Sequence, residues 1–126
     1  MAKILIIDDD PDVVESVGLF LKREGHETIS AYNRDEGMKA VVDADPDLLV
    51  LDVMMEQPDD GIAMAQELRR KGFDRPILML TSIGKVTGMK YGVHSDLVPV
   101  DEFCEKPIEP EALVKKINNL LKAKEG

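Results

Sequence analysis

An α/β fold, a parallel sheet with helices on both faces, is predicted by three features of this sequence. Apolar runs of strand length alternate with segments of helical period. Ile4–Ile7 within the run Lys3–Ile7, Leu48–Leu51 and Pro76–Leu80 are apolar at consecutive positions, as strands covered on both faces require. Capping residues stand where each helix should begin or stop.

The elements follow in order. Lys3–Ile7 is the first strand. Asp10 then fits an N-cap with Pro11 at the first helical position, where its missing N–H costs nothing. Val13, Val14, Val17, Phe20 and Leu21 recur at helical spacing, and Gly25 is a stop that tolerates positive φ. His26–Tyr32 is a short strand. Asn33 caps a helix carrying Met38, Val41 and Val42, which Asp45-Pro46 ends. Leu48–Leu51 is the next strand and runs into Asp52. Gly61–Arg70 is a helix with Ile62, Ala65 and Leu68 inward, closed at Gly72. Pro76–Leu80 is a fourth strand, followed by Thr81-Ser82. Glu102–Glu105 is a short fifth strand leading to Lys106-Pro107, and Glu109-Pro110 opens a final helix with Leu113, Ile117, Leu120 and Leu121 on one face. Gly84–Val100 holds Gly84, Gly88, Gly92 and Pro99, so a short, loose helix near Lys85–Tyr91 and then a loop are expected there. The polar end, Lys122–Gly126, is expected to fray.

Composition narrows the function classes. A chain of 126 residues forms one ordinary domain, taken as residues 1–126, with room for a core. Its 44% hydrophobic and 33% charged residues are globular values. The apolar runs are too short to span a bilayer, and the opening residues lack the basic-then-apolar pattern of a secretory signal. The single cysteine, Cys104, excludes an internal disulfide and fits a reducing cytoplasmic setting, where core packing is its expected role. The formal charge of −9 repels phosphate backbones, so direct nucleic-acid binding is not expected. His26 and His94 read as surface residues.

The polar residues gather at one edge. In open parallel sheets, sites form beyond the carboxyl ends of the strands. There the first strand delivers Asp8 and Asp9, the third Asp52, the fourth Thr81 and the fifth Lys106. Capping needs only Asp10, which leaves the other carboxylates unexplained. At contact distance a pair of carboxylates repels by roughly 4 kcal/mol at an effective dielectric near 20. A hard divalent cation such as Mg²⁺ relieves that repulsion, and carboxylates beside a lysine and a hydroxyl suit phosphoryl chemistry, with Asp52 as nucleophile.

These residues resemble the receiver domain of two-component response regulators from Lys3 to about Leu121. The acidic pair Asp8-Asp9, "LLVLDVMM", "PILMLTS" and "EFCEKPI" carry the resemblance. It implies a flavodoxin-like, five-stranded sheet in the order 2-1-3-4-5. It also implies a switch that accepts a phosphoryl group on Asp52 from a sensor histidine kinase or phosphotransfer protein. Such a domain catalyses only its own phosphorylation and dephosphorylation. Asp9 and Asp52 correspond to direct Mg²⁺ ligands, Asp8 to one acting through water, and the Met54 backbone carbonyl to a further ligand. Lys106 corresponds to the lysine that contacts phosphoryl oxygens, Thr81 to the switch hydroxyl, and Phe103 to the aromatic whose rotamer follows that threonine. The resemblance further implies a cis Lys106-Pro107 bond.

Three departures stand out. In "DVMMEQPDDG" the proline is delayed to Pro58, Glu56 follows Met55, and the spacing to Gly61 is longer than usual. The stretch between Thr81 and Lys106 is also longer and lacks the usual small-residue segment, so the output partner stays open. Met54 and Ile83, which would flank the path of attacking water, are apolar, and slow self-dephosphorylation is expected. Two other readings remain. Asp8-x-Asp10 after an apolar strand resembles the first motif of haloacid-dehalogenase-type phosphohydrolases, with Asp8 as nucleophile and Asp10 as general acid. The chain could also be a receiver-like interaction module that is never phosphorylated.

Overall fold

The computed structural model describes residues 2–53, 55, 60–81, 100–106 and 108–125. Its strands are β1 (Lys3–Ile7), β2 (Glu27–Ala31), β3 (Leu48–Asp52), β4 (Ile77–Thr81) and β5 (Glu102–Glu105). Its helices are α1 (Pro11–Arg23), α2 (Arg34–Ala44), α3 (Asp60–Arg70) and α4 (Pro110–Glu125). All strand pairs are parallel, in the order β2-β1-β3-β4-β5. The expected order and alternation are therefore observed.

The sheet divides two apolar layers, because alternate residues of a strand face opposite sides. Ile4, Ile6, Leu48, Val50, Leu78 and Leu80 pack with Val14, Val17 and Leu21 of α1 and Leu113 and Ile117 of α4. Leu5, Ile7, Leu49, Leu51, Ile77 and Met79 pack on the other side with Met64, Ala65 and Leu68 of α3, and Met38 and Val41 of α2 join them. β1, β3 and β4 are fully buried along almost their whole lengths, which is why their sequences are continuously apolar. The edge strands β2 and β5 are partly exposed and more polar.

The helix ends follow local chemistry. Asp10 adopts an extended conformation and its side chain accepts from the Asp12 N–H. Asn33 accepts from the Glu36 N–H at 2.8 Å, and Glu36 returns a carboxylate oxygen to the Tyr32 N–H at 2.8 Å. Gly25 and Gly72 take positive φ just past α1 and α3. Asp45 closes α2 in the left-handed region at φ 49°, without the freedom a glycine would have there.

The last helix, α4, continues to Glu125, past the start of the polar tail at Lys122. One expectation changes. His26 is not a free surface group. Its Nδ1 accepts the Ala2 N–H at 3.2 Å and its Nε2 lies 3.4 Å from Asn118 Oδ1, so it ties the start of the sheet to α4. The loose helix near Lys85–Tyr91, His94, Ile83, the cis Lys106-Pro107 bond and the loop 56–59 all lie outside the described residues.

Candidate phosphoryl-acceptor site

Strand register brings the site together. Ile7 pairs with Leu51, Asp52 with Leu80, and Thr81 with Glu105, so β1, β3, β4 and β5 finish at one rim. Asp8 and Asp9 follow β1, Asp52 ends β3, Thr81 ends β4, and Lys106 follows β5. The Lys106 N–H donates to the Thr81 carbonyl at 2.9 Å, which fixes the base of the lysine. Its Nζ then lies 2.9 Å from Asp8 Oδ2 and 3.3 Å from Asp52 Oδ1.

Burial differs sharply along the acidic run. Asp8 is fully buried, Asp52 is 5% exposed, and Asp9 faces solvent. Asp8 Oδ1 accepts the Asp10 N–H at 3.0 Å. Asp8 Oδ2 is buried and lies 2.9 Å from the Lys106 ammonium. One oxygen each from Asp8, Asp9 and Asp52 lie within 4.8 Å of one another. Three carboxylates and one ammonium leave a surplus of two negative charges at the rim.

Burial first, and then the charge of Asp8, push the Asp52 carboxyl up to about 7, although Lys106 pulls in the opposite direction. Burial pulls the Lys106 ammonium down, but the two carboxylates outweigh it and hold its pKa above the ordinary lysine value. Lys106 therefore stays cationic, and Asp52 ionises only against its burial and the charge of Asp8. An all-oxygen cluster of three carboxylates, one fully buried, with a single ammonium beside it fits a small hard dication.

Of the residues expected at the site, Asp8, Asp9, Asp52 and Lys106 meet. Thr81 is buried at 2% exposure beside them. Phe103 pairs with Met79, two residues before Thr81, and packs half-buried against the layer that contains Met79. Met54 lies outside the described residues. Cys104 is buried in the opposite layer, and burial raises its thiol pKa, as core packing implies.

From sequence alone, Asp60 and Gly61 mark only a helix start and its spacing. Asp60 is 8% exposed. Gly61 lies so close to β3 that a Cβ would fall 1.9 Å from the Asp52 carbonyl oxygen, and its N–H donates to the Val53 carbonyl at 2.8 Å. The signal was the Asp-Gly pair itself, at a helix start where only a residue without a side chain can touch the strand.

The phosphohydrolase reading is not favoured. It needs Asp8 as nucleophile and Asp10 as general acid. Asp8 is buried against Lys106 and the Asp10 N–H, and the Asp10 side chain caps α1.

Comparison with known proteins agrees. The response regulator receiver domain family matches residues 4–118. The DNA-binding dual master transcriptional regulator RpaA of Synechocystis sp. is 34% identical over 97% of this chain and 50% of its own length. The alkaline phosphatase synthesis transcriptional regulatory protein PhoP of Bacillus subtilis is 33% identical over 98% of this chain and 50% of its own length. The chain thus spans about half the length of these relatives, which are transcriptional regulators rather than enzymes of metabolism. The crystal structure of the receiver domain of NtrX from Brucella abortus superimposes with a TM-score of 0.82 at 28% identity, covering 94% of this chain and 98% of that one. Among the described residues no helix is long and apolar enough to cross a membrane. With this fold, this rim of carboxylates and lysine, and these relatives, the chain belongs to the response regulator receiver domain family, the phosphorylation-dependent switches of two-component signalling.

Proposed function

We propose that Asp52 is the phosphoryl acceptor of this domain, with a sensor histidine kinase or a phosphotransfer protein as donor. One observation carries the reading: Asp52 is buried at the carboxyl edge of the sheet between Asp8 and Lys106, with its carboxyl pushed up to about 7. Asp9 and Asp52 would hold Mg²⁺ directly, with Asp8 acting through water and the Met54 carbonyl completing the set. Bound there, the ion would balance the surplus charge and share a phosphoryl oxygen.

The chain's own residues do the rest. An Asp52 oxygen attacks phosphorus as the P–N bond to the donor imidazole breaks. The imidazole leaves with the electron pair and takes a proton from solvent, and Asp52 becomes an acyl phosphate. Lys106, already 3.3 Å from Asp52, neutralises charge on the transferring oxygens. Thr81 then turns its hydroxyl toward the phosphoryl group, Phe103 fills the space released, and the output face shifts population. The domain catalyses only its own phosphorylation and dephosphorylation. It works in the cytoplasm as one unit over residues 1–126, and its net charge of −9 disfavours direct nucleic-acid contact.

Incubation with acetyl phosphate and Mg²⁺, followed by peptide mapping, tests this. A single adduct on the peptide carrying Asp52, absent from Asp52→Asn, is expected. An adduct on Asp8, or none at all despite Mg²⁺ binding, overturns the proposal.

A further inference from the structure

α2 begins with an arginine. A cation in the first turn of a helix opposes the helix dipole, so Arg34 needs a reason to be there. Its side chain crosses to α3. Nη2 lies 2.8 Å from Glu67 Oε1 and Nη1 lies 4.0 Å from Asp60 Oδ1. Asp60 and Glu67 are two helical turns apart, so one guanidinium spans most of α3. Lys71 binds the other oxygen of Glu67 at 3.2 Å and holds that carboxylate toward the helix surface.

What α3 does at its first turn makes this contact matter. Gly61, next to Asp60, rests on the backbone of Asp52 and Val53, with its N–H on the Val53 carbonyl. Gly37, in the first turn of α2, is also close to its neighbours: a Cβ there would meet the side-chain ends Ile7 Cδ1 at 2.8 Å and Met64 Cε at 3.0 Å. α2 therefore sits tightly on β1 and α3, and offers a firm platform for Arg34.

We propose that Arg34 is a positioning residue for the acceptor site: by holding Asp60 and Glu67 it seats the start of α3 on the backbone of Asp52 and Val53. The seat fixes Val53 and Asp60 beside the acceptor. The inference rests on the reading of Asp52 as acceptor only for its consequence in phosphorylation; the seat itself is a contact between helix and strand.

The test compares wild type with Arg34→Gln and Arg34→Lys. In Arg34→Gln, hydrogen exchange at the Gly61 amide in metal-free protein should speed up about tenfold relative to Val50 and Leu51, because local opening loses a charged contact while the core strands do not. The Mg²⁺ dissociation constant by calorimetry should weaken about three- to tenfold, and labelling by acetyl phosphate should slow in parallel. Arg34→Lys keeps a cation within reach of Glu67 and should recover part of each effect, which loss of general stability would not do. A folded Arg34→Gln with wild-type Gly61 exchange and wild-type Mg²⁺ affinity overturns the proposal. Should Arg34→Gln not fold, Glu67→Gln provides the same comparison with the same expected directions. Wild type that takes no label on Asp52 refutes the acceptor reading instead, and Gly61 exchange still decides the seat.

Discussion

Replacing the acceptor should make the metal-free domain more stable. Asp52→Asn keeps the size of the side chain and removes its charge. In the folded protein burial and Asp8 raise the Asp52 carboxyl from 3.8 to about 7, with the pull of Lys106 already included. The folded state thus binds a proton that the unfolded state releases between those values. Stability conferred by that proton is present at low pH and is lost as pH rises toward about 7. Each tenfold difference in proton affinity between the two states is worth about 1.4 kcal/mol, which sets an upper limit of about 4 kcal/mol on the loss. Relaxation around the ionised group leaves about 2–4 kcal/mol as the expected gain of Asp52→Asn at about pH 8. For a domain of this size that is roughly 4 °C in Tm per kcal/mol. Chemical denaturation in EDTA at about pH 8 and about pH 5 measures it, and at the lower pH the gap should fall below about half. Saturating Mg²⁺ should close the gap from the other side, by stabilising wild type and leaving Asp52→Asn nearly unchanged. Equal or lower stability of Asp52→Asn at the higher pH in EDTA would refute the account of a carboxyl raised by burial and by Asp8.

Gly61→Ala places a methyl 1.9 Å from the Asp52 carbonyl oxygen, a backbone atom that cannot step aside. It should cost about 2–4 kcal/mol by denaturation and weaken Mg²⁺ binding as well. Arg75 joins two turns at the other end of the sheet through the Pro46 carbonyl and Asp47 Oδ1, each at 3.1 Å, so Arg75→Ala should cost about 1–2 kcal/mol without changing Mg²⁺ affinity. Asp45→Gly should be neutral or stabilising by up to about 1 kcal/mol in the same assay, since φ is 49° there. Met54→Asn supplies a hydrogen-bonding side chain for attacking water and should speed loss of phosphate from Asp52, read as the decay of labelled protein; unchanged or slower decay counts against the role of Met54.

Legibility in the sequence followed the range of the interaction. β1, β3 and β4 could be read because burial on both faces leaves no room for polar residues. The caps at Asp10 and Asn33 could be read because their partners lie within three residues. The site could be read as strand ends because a parallel sheet sends all its carboxyl ends to one rim. Contacts between distant segments were not legible. Nothing local distinguishes buried Asp8 from exposed Asp9: the difference arises because Asp8 continues the register that places Ile7 beside Leu51. Arg34 meets Glu67 across 33 positions, and His26 meets Asn118 across 92. In each case the sequence shows only polar residues on amphipathic elements, and tertiary packing chooses the partner.

The direction in which such a site can signal follows from the same packing. β1 and β3 lie inside the sheet with a strand on either side, and their residues are buried, so displacing them disturbs both apolar layers. β5 lies at the edge with a single strand neighbour, and its burial is incomplete along its length. Lys106 divides its ammonium between Asp8 and Asp52 and hangs from this edge strand, with its N–H on the Thr81 carbonyl. A phosphoryl group on Asp52 adds charge farther from the buried end of Asp8, and the ammonium must redistribute toward it. The element least costly to move is the one that carries that lysine. On the proposed reading, the ends of β1 and β3 are the fixed side of the switch, and the edge strand β5, which carries Phe103 and leads to Lys106, is the side that moves at least cost. The burial and the Asp8 charge that make an ionised Asp52 costly in the resting protein would give the added group its leverage there.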